Sequence, residues 1–445
     1  MNRKRNAEKI FLAGVKSVLP GKLISDKIKL RDNYLVIGPQ NFYLDSINKI
    51  YVIGAGKASA LMALETEKIL GNRITGGQII VKYGHSCELE NINVTEAGHP
   101  LPDSNGFCAT EKILEIAAKV SRNDLVICLL SGGGSALLPD FPKGSSPEEI
   151  ISVNDLLVNC GASIDEINTV RKHLSMVKGG QLARAFHPAT LISLILSDVV
   201  GDQLSVIASG PTSPDPTTYR QALDILRKYE LLQSVPENIL KYLQAGESGD
   251  IPETPKPGDP VFDRTSNIIV GSNHLALEAA KREAENLKFN TFIITDRLQG
   301  EVTSSAGYIA ETSLKYLHDE VVVKPVCLLF GGETTVKISG NGLGGRNQHL
   351  ALTCSMILSG YEGITVLAAG TDGTDGPTDV AGAVVDKETI PDAISENIDP
   401  EKFLKDYDTY HFFKLTGGHI ITGPTLTNVM DIIVVIVEND YKKKV

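Results

Sequence analysis

Short apolar runs that end in a glycine-rich turn and continue into an amphipathic stretch recur along this chain, and that rhythm constrains the fold more than any other feature. Residues 50–53 run into Gly54-Ala55-Gly56-Lys57, and a helical pattern follows over 58–70. Residues 77–82 read as another strand, 124–130 as one that ends in Ser131-Gly132-Gly133-Gly134-Ser135, and 190–196 as one that ends in Ser197-Asp198. Strands alternating with helices imply parallel βαβ units covered on both faces. Ligands of such sheets bind beyond the carboxyl ends of the strands, which is where these turns fall. A break rich in proline, glycine and acidic residues near 245–262 reads as a linker, and strand-like runs resume at 267–270, 291–295, 326–330, 364–368 and 431–437. The expected class is α/β, with two Rossmann-like domains, 1–255 and 256–445, around a cleft. Residues 1–45 read as one helix plus a turn-rich extended piece whose host domain is open, and a lysine run occupies 442–444.

Charge narrows the partners. Lys and Arg total 43 against 54 Asp and Glu, a net charge of −11, which argues against nucleic acid because phosphate backbones want clustered basic residues. A small anionic substrate is still compatible, since one basic pocket can oppose the global sign. No run approaches the ~20 apolar residues of a membrane span. The apolar run near residue 10 is too short for a secretory signal, so neither a membrane nor an export route is expected. The six cysteines, at 87, 108, 128, 160, 327 and 354, form no CxxC pair and read as thiols of a reducing, cytoplasmic compartment. Nothing in the sequence decides between a monomer and a homodimer.

Six segments carry candidate chemistry. Gly54–Ser59 resembles two phosphate-binding fingerprints and satisfies neither. A Walker A loop would need a glycine at Tyr51 and a Ser or Thr at Ala58, and the dinucleotide fingerprint would need Gly or Ala at Ser59. It is read either as a tight strand-to-helix turn or as a turn that projects Lys57 into an anion site. The three consecutive glycines at 132–134, flanked by Ser131 and Ser135, resemble a backbone anion nest. Arg171, Lys172 and His173, with Lys178 close behind, are the densest basic segment and read as a phosphate or carboxylate clamp or as a solvated helix face. Asp198, Asp202 and Asp215 follow a strand; Asp198 is the one read as a metal or hydroxyl partner, the other two as turn residues. Arg346 opens a helix after a Gly-rich stretch and suits bidentate contact with a phosphate, while Asp372, Asp375 and Asp379 sit among glycines in a segment that lacks the closing glutamate of a calcium loop.

Taken in order, the stretches 54–59, 98–105, 130–138, 168–180, 196–216, 331–335, 344–348, 370–378 and 425–431 resemble the MOFRL family of glycerate 2-kinases, some of whose members carried the label hydroxypyruvate reductase. The resemblance implies ATP-dependent phosphorylation of D-glycerate at its C2 hydroxyl to 2-phospho-D-glycerate and ADP, with Mg²⁺ or another divalent cation. It also implies a two-domain fold around a deep cleft, unrelated to the P-loop kinases. The family's key lysine falls on Lys57 and its key arginine on Arg346, and domain closure is expected to bring both to the transferred group. Beside these, Ser131, Gly132, Gly133, Gly134, Ser135 and Arg171 are expected to hold substrate or phosphate, Gly54, Gly56, Glu333 and Asp372 the nucleotide, and Asp198 the metal; His419 is given no role. The rivals are an NAD(P)H-dependent hydroxypyruvate reductase and a non-catalytic sensor of a small hydroxy acid. Against the reductase, residues 78–82 end their strand without the acidic residue that grips a ribose.

Overall fold

The computed structural model describes residues 3–338 and 340–439, and the lysine run at 442–444 lies outside them. The chain divides into two compact units, one of Pro20–Val270 and one of Met1–Leu19 with Gly271–Val445. The boundary expected at 255/256 therefore falls inside the first unit. The run at 267–270 is the reason: it is not the first strand of a second domain but part of Thr265–Gly271, the last strand of the first sheet.

The first unit's sheet orders its strands Asn93–Ala97, Ile74–Lys82, Ile50–Ala55, Leu125–Leu130, Thr190–Leu196 and Thr265–Gly271. The pairings among the first five are parallel. Numbered along the chain this is 3-2-1-4-5-6, the order of dinucleotide-binding sheets, in which the ligand crevice opens where the order reverses. Here the reversal lies between Ile50–Ala55 and Leu125–Leu130, so the Gly54 and Ser131 turns leave the sheet side by side. Both strands are buried along their whole length, as a parallel sheet covered on two faces requires. Helices Pro147–Asn159 and Ile164–His173 begin with reciprocal capping boxes, Ser146 with Glu149 and Ser163 with Glu166. Together with Tyr219–Lys228 and Glu237–Ser248 they enclose a separate apolar core that includes Val153, Val170, Leu223 and Leu243.

The second unit departs from the expected parallel pattern. Its sheet runs Asn290–Glu301, Val326–Thr335, Asp431–Val437, Ile364–Gly370, Gly382–Asp386 and His419–Ile420, and only the first pair is parallel. Apolar runs alone carry no direction, and the last long strand, Asp431–Val437, inserts antiparallel between two others. In consequence its first residue, Asp431, pairs with Gly332 on one side and, on the other, with Gly370 at the end of its strand. The helix Arg3–Ser17 belongs to this unit: a side-chain carbon at Gly14 would lie 2.9 Å from Ile432 and 3.0 Å from the Ala276 carbonyl. The rest of the 1–45 segment is helix Pro20–Lys27 and a three-stranded antiparallel sheet, both in the first unit. Among the described residues no helix is long and apolar enough to cross a membrane.

Candidate active site

In the first unit the two turns at the sheet reversal lock together. Gly54 and Gly56 are needed for contact: a Cβ at Gly54 would lie 2.1 Å from the Leu129 carbonyl, and one at Gly56 2.1 Å from Ser131 Oγ. The N–H groups of Gly56, Lys57, Ala58 and Ser59 donate to Ile80 O, Gly132 O, Ser131 Oγ and Gly56 O. The turn thus has its N–H groups at 56–59 engaged within the protein, and Gly54 and Gly56 serve the close approach of the two strands. Ser131 is likewise engaged: it is buried, and its hydroxyl accepts from Ala58 N–H and lies 3.1 Å from Ser59 Oγ. What the turn does present is Lys57, whose amine makes no hydrogen bond or ion pair among the described residues.

The glycine loop then meets four neighbours in succession. A Cβ at Gly132 would lie 2.2 Å from Asp198 Oδ2; at Gly133, 2.8 Å from His99 Nε2 and 3.6 Å from Lys57 Cγ; and at Gly134, 2.8 Å from Ala208 Cβ. Ser135 Oγ lies 2.7 Å from Ser209 Oγ, which in turn donates to Asn168 Oδ1 at 3.1 Å. Gly133 also has φ +84°, a conformation that side chains with a Cβ resist. The N–H groups of Gly132 and Gly133 enter no backbone hydrogen bond among the described residues. Opposite them, Ala208 (φ 50°) and Ser209 (φ 61°) are consecutive left-handed residues, at a cost of roughly 1–2 kcal/mol each. Gly179 N–H to Ser209 O, at 3.0 Å, helps to hold them there. Local strain of this kind clusters at ligand sites.

His99, Gly133, Gly134, Ser135, Asp198, Ala208 and Ser209 line a cavity of about 390 Å³ within the first unit. Arg171 reaches it from the last turn of its helix. Its Nε donates to Asn154 Oδ1 at 2.7 Å, its Nη groups have no partner among the described residues, and burial lowers its pKa. Lys178 also lines the cavity; burial pulls its pKa down although Asp140 stands 3.5 Å away, and its amine donates to Leu138 O. Burial, with Lys57, Lys82 and His85 around it, pushes the His99 pKa down to about 4, so the imidazole is neutral near pH 7. The rest of the basic segment is structural. Lys172 pairs with buried Asp215 at 3.4 Å, and His173 lies between Thr169 O at 2.8 Å and Glu253 at 3.3 Å. Asp215 moreover accepts from Thr217 and Thr254, and Asp202 sits in a turn at φ 54°.

In the second unit Arg346 is the first residue of helix Arg346–Ile357. Its Nε and Nη2 grip both oxygens of buried Asp431, at 2.7 and 3.0 Å, and its Nη1 pairs with Glu333. Burial works against its charge, but Asp431, Glu333 and Asp375 outweigh that and raise its pKa. Asp375 caps the same helix, accepting from Asn347 N–H at 3.0 Å and Gln348 N–H at 2.8 Å as well as from both side-chain amides. Asp372 accepts from Thr374 N–H at 3.1 Å, a local turn. His419 stacks on Tyr410 with ring centroids 5.0 Å apart, and burial lowers its pKa.

Within their own units, then, the structure gathers Lys57, Gly132, Gly133, Gly134, Ser135, Asp198 and Arg171 at one place, and Arg346 with Glu333 at another. Lys178, part of the basic segment read as a clamp, is at the cavity, whereas the sequence gives no role to His99 and Asn154 there or to Asp431 on Arg346. Position 99 lay inside a noted stretch, but an isolated histidine shows no periodicity. Asp431 looked like the head of a strand. Among the described residues no group of three or more His, Cys, Asp or Glu is arranged to hold a metal ion.

Comparison with known proteins extends this picture. The domain family described as DUF4147, a domain of unknown function, matches residues 6–244, and the MOFRL family matches 326–431. A glycerate 2-kinase of Pyrococcus horikoshii is 41% identical over 95% of this chain and 94% of its own length. A D-glycerate 2-kinase of Thermotoga maritima is 42% identical over 87% and 91%. A glycerate kinase of Danio rerio is 37% identical over 98% of each. Among solved structures, a Thermotoga maritima glycerate kinase superposes with a TM-score of 0.87 at 38% identity, covering 98% of this chain and 99% of that one. A Pyrococcus horikoshii protein does so with a TM-score of 0.87 at 40% identity, covering 99% of each.

Proposed function

The chain belongs to the MOFRL family of glycerate kinases, and from that premise we propose that it transfers the γ-phosphoryl group of ATP to the C2 hydroxyl of D-glycerate, giving 2-phospho-D-glycerate and ADP. The observation that carries this reading at the level of geometry is the loop 132–135, which gathers over successive residues a carboxylate, a neutral imidazole and the stem of a lysine whose amine is unpaired among the described residues. Phosphoryl transfer asks a protein mainly for positioning and for charge stabilisation. Lys57 meets the γ-phosphate as a point charge. Arg346, aimed by Asp431, steadies the transferred PO₃ group as it leaves the ADP oxygen for the C2 oxygen. The Gly132 and Gly133 N–H groups face developing negative charge. Arg171 offers its two Nη groups, unengaged among the described residues, to the glycerate carboxylate. Asp198 accepts the proton of the C2 hydroxyl or holds the divalent ion. Mg²⁺ in such sites is held by one or two carboxylates together with substrate phosphates, so Asp198 as a single carboxylate fits it and no larger protein cage is required. Bound there, the ion would neutralise phosphate charge. Glu333, already on Arg346, is our candidate on the nucleotide side. We place the enzyme in the cytoplasm.

One observation favours a second reading. The 3-2-1-4-5-6 order is that of nicotinamide-binding sheets and suits a hydroxypyruvate reductase. The committed N–H groups of the Gly54 turn and the buried Ser59, whose hydroxyl donates to Leu129 O, speak against a dinucleotide there. Incubation with ATP, Mg²⁺ and D-glycerate tests the proposal: phosphorus NMR is expected to show phosphate on C2 and equimolar ADP. NADH consumption at 340 nm with hydroxypyruvate, and no ADP from glycerate, would overturn it.

A further inference from the structure

His99 has no assigned role, yet it occupies a chosen place. Its Nε2 comes within 2.8 Å of where a Gly133 side-chain carbon would sit, beside the Lys57 stem, and it lines the first-unit cavity with Asp198 and Arg171. The half-buried ring hydrogen-bonds its own backbone and no other side chain among the described residues. A polar ring held this way at a cavity wall is complementary to a ligand rather than to the fold.

The chemistry of the ring selects the ligand group. D-glycerate presents a carboxylate, the C2 hydroxyl that accepts phosphate, and a C3 hydroxyl. The carboxylate calls for a cation with paired donors, which Arg171 supplies. The C2 hydroxyl must lie between the phosphate and a group able to take its proton, which places it toward Asp198 over Gly132. The C3 hydroxyl remains, both donor and acceptor, and an imidazole over the adjacent Gly133 offers one of each when neutral. Burial and the neighbouring Lys57, Lys82 and His85 keep the ring in that form. A cationic ring would instead compete with Lys57 for phosphate.

We propose that His99 reads the C3 hydroxyl of the acceptor and so sets a preference for 2,3-dihydroxy acids over 2-hydroxy acids that lack that group. This rests on the kinase reading above. A site built to bond a hydroxyl discriminates strongly against the analogue without it, because its own polar group is left unpaired.

The test pairs a residue with a substrate atom. D-lactate is D-glycerate without the C3 oxygen. For the full chain with ATP and Mg²⁺, kcat/KM is measured with D-glycerate, and D-lactate is followed both as acceptor and as competitive inhibitor. His99→Leu is expected to lower kcat/KM for D-glycerate by about 10- to 100-fold while leaving the D-lactate constants within about twofold. His99→Gln, which keeps a donor and an acceptor, is expected to recover part of the loss. Circular dichroism checks that each variant folds, and if His99→Leu does not, His99→Ala, which also lacks donor and acceptor, carries the same comparison. Equal losses on both ligands, or no loss on D-glycerate, overturn the assignment of His99 and leave the kinase reading standing. A wild-type chain that makes no ADP from D-glycerate overturns both.

Discussion

The Lys57 turn and the Arg346 helix start are built on opposite principles. Lys57 leaves a turn whose backbone donors are all engaged, and its amine is unpaired among the described residues. Arg346 starts a helix capped by Asp375, and its guanidinium is held by Asp431 and Glu333. A flexible ammonium can wait in solvent for a phosphate, because its charge acts without fixed geometry. A planar guanidinium acts through direction, so it is held on a buried carboxylate and keeps N–H groups for a ligand. The difference teaches that a cation's neighbours reveal whether it is used as a charge or as an oriented fork.

The sharpest way to break this contrast is to remove each cation. Lys57→Ala and Arg346→Ala are each expected to lower kcat by ~10²–10³, or ~3–4 kcal/mol at the transition state, read as ADP release by folded protein. Arg346→Lys should stay near the alanine level, since an ammonium cannot engage both oxygens of Asp431, whereas Lys57→Arg should retain more activity. Full turnover in either alanine variant would refute the mechanism.

Asp431→Asn tests orientation alone. It leaves the Arg346 charge and removes the clamp, and is expected to reduce kcat by about tenfold or more with KM for glycerate little changed. An increase in KM alone would mean that Arg346 serves ground-state binding. On the other side of the comparison, Gly132→Ala would drive a carbon to 2.2 Å from Asp198 Oδ2, and a loss of similar size is expected in kcat/KM.

A pH experiment separates the surroundings further. The folded chain resists protonating His99, with its pKa near 4, while the unfolded chain takes that proton at the ordinary 6.5. Stability from this group is therefore complete above about pH 6.5 and is lost as pH falls toward 4. His99→Gln should flatten that part of the melting-temperature profile. The smallest effect is expected at Ser163, which caps the helix that carries Arg171. Ser163→Ala should cost about 1 kcal/mol of stability with little change in kcat, measured by urea unfolding.

Much of the first unit was readable along the chain. The strands 50–55, 125–130 and 190–196 are largely apolar because both sheet faces are covered, and the turns after the first two announce themselves by glycine. The second unit was less readable: residues 431–437 are as apolar as any parallel strand, and nothing local tells which way they run. The basic segment divided for a similar reason. Arg171 and Lys172 are adjacent, yet one lines the cavity and the other is buried against Asp215.

By itself the sequence determined where strands end, where the backbone must pass a neighbour without a side chain, and where the two cations stand, because periodicity and backbone conformation depend on residues near in the chain. Only the tertiary structure decided that Asp431 meets Arg346, that the N–H groups of the Gly54 turn are committed to Ile80, Gly132 and Ser131, and that His99 faces the glycine loop. Those are contacts between residues tens of positions apart, set by strand order and direction as whole faces are buried, and no local pattern encodes them.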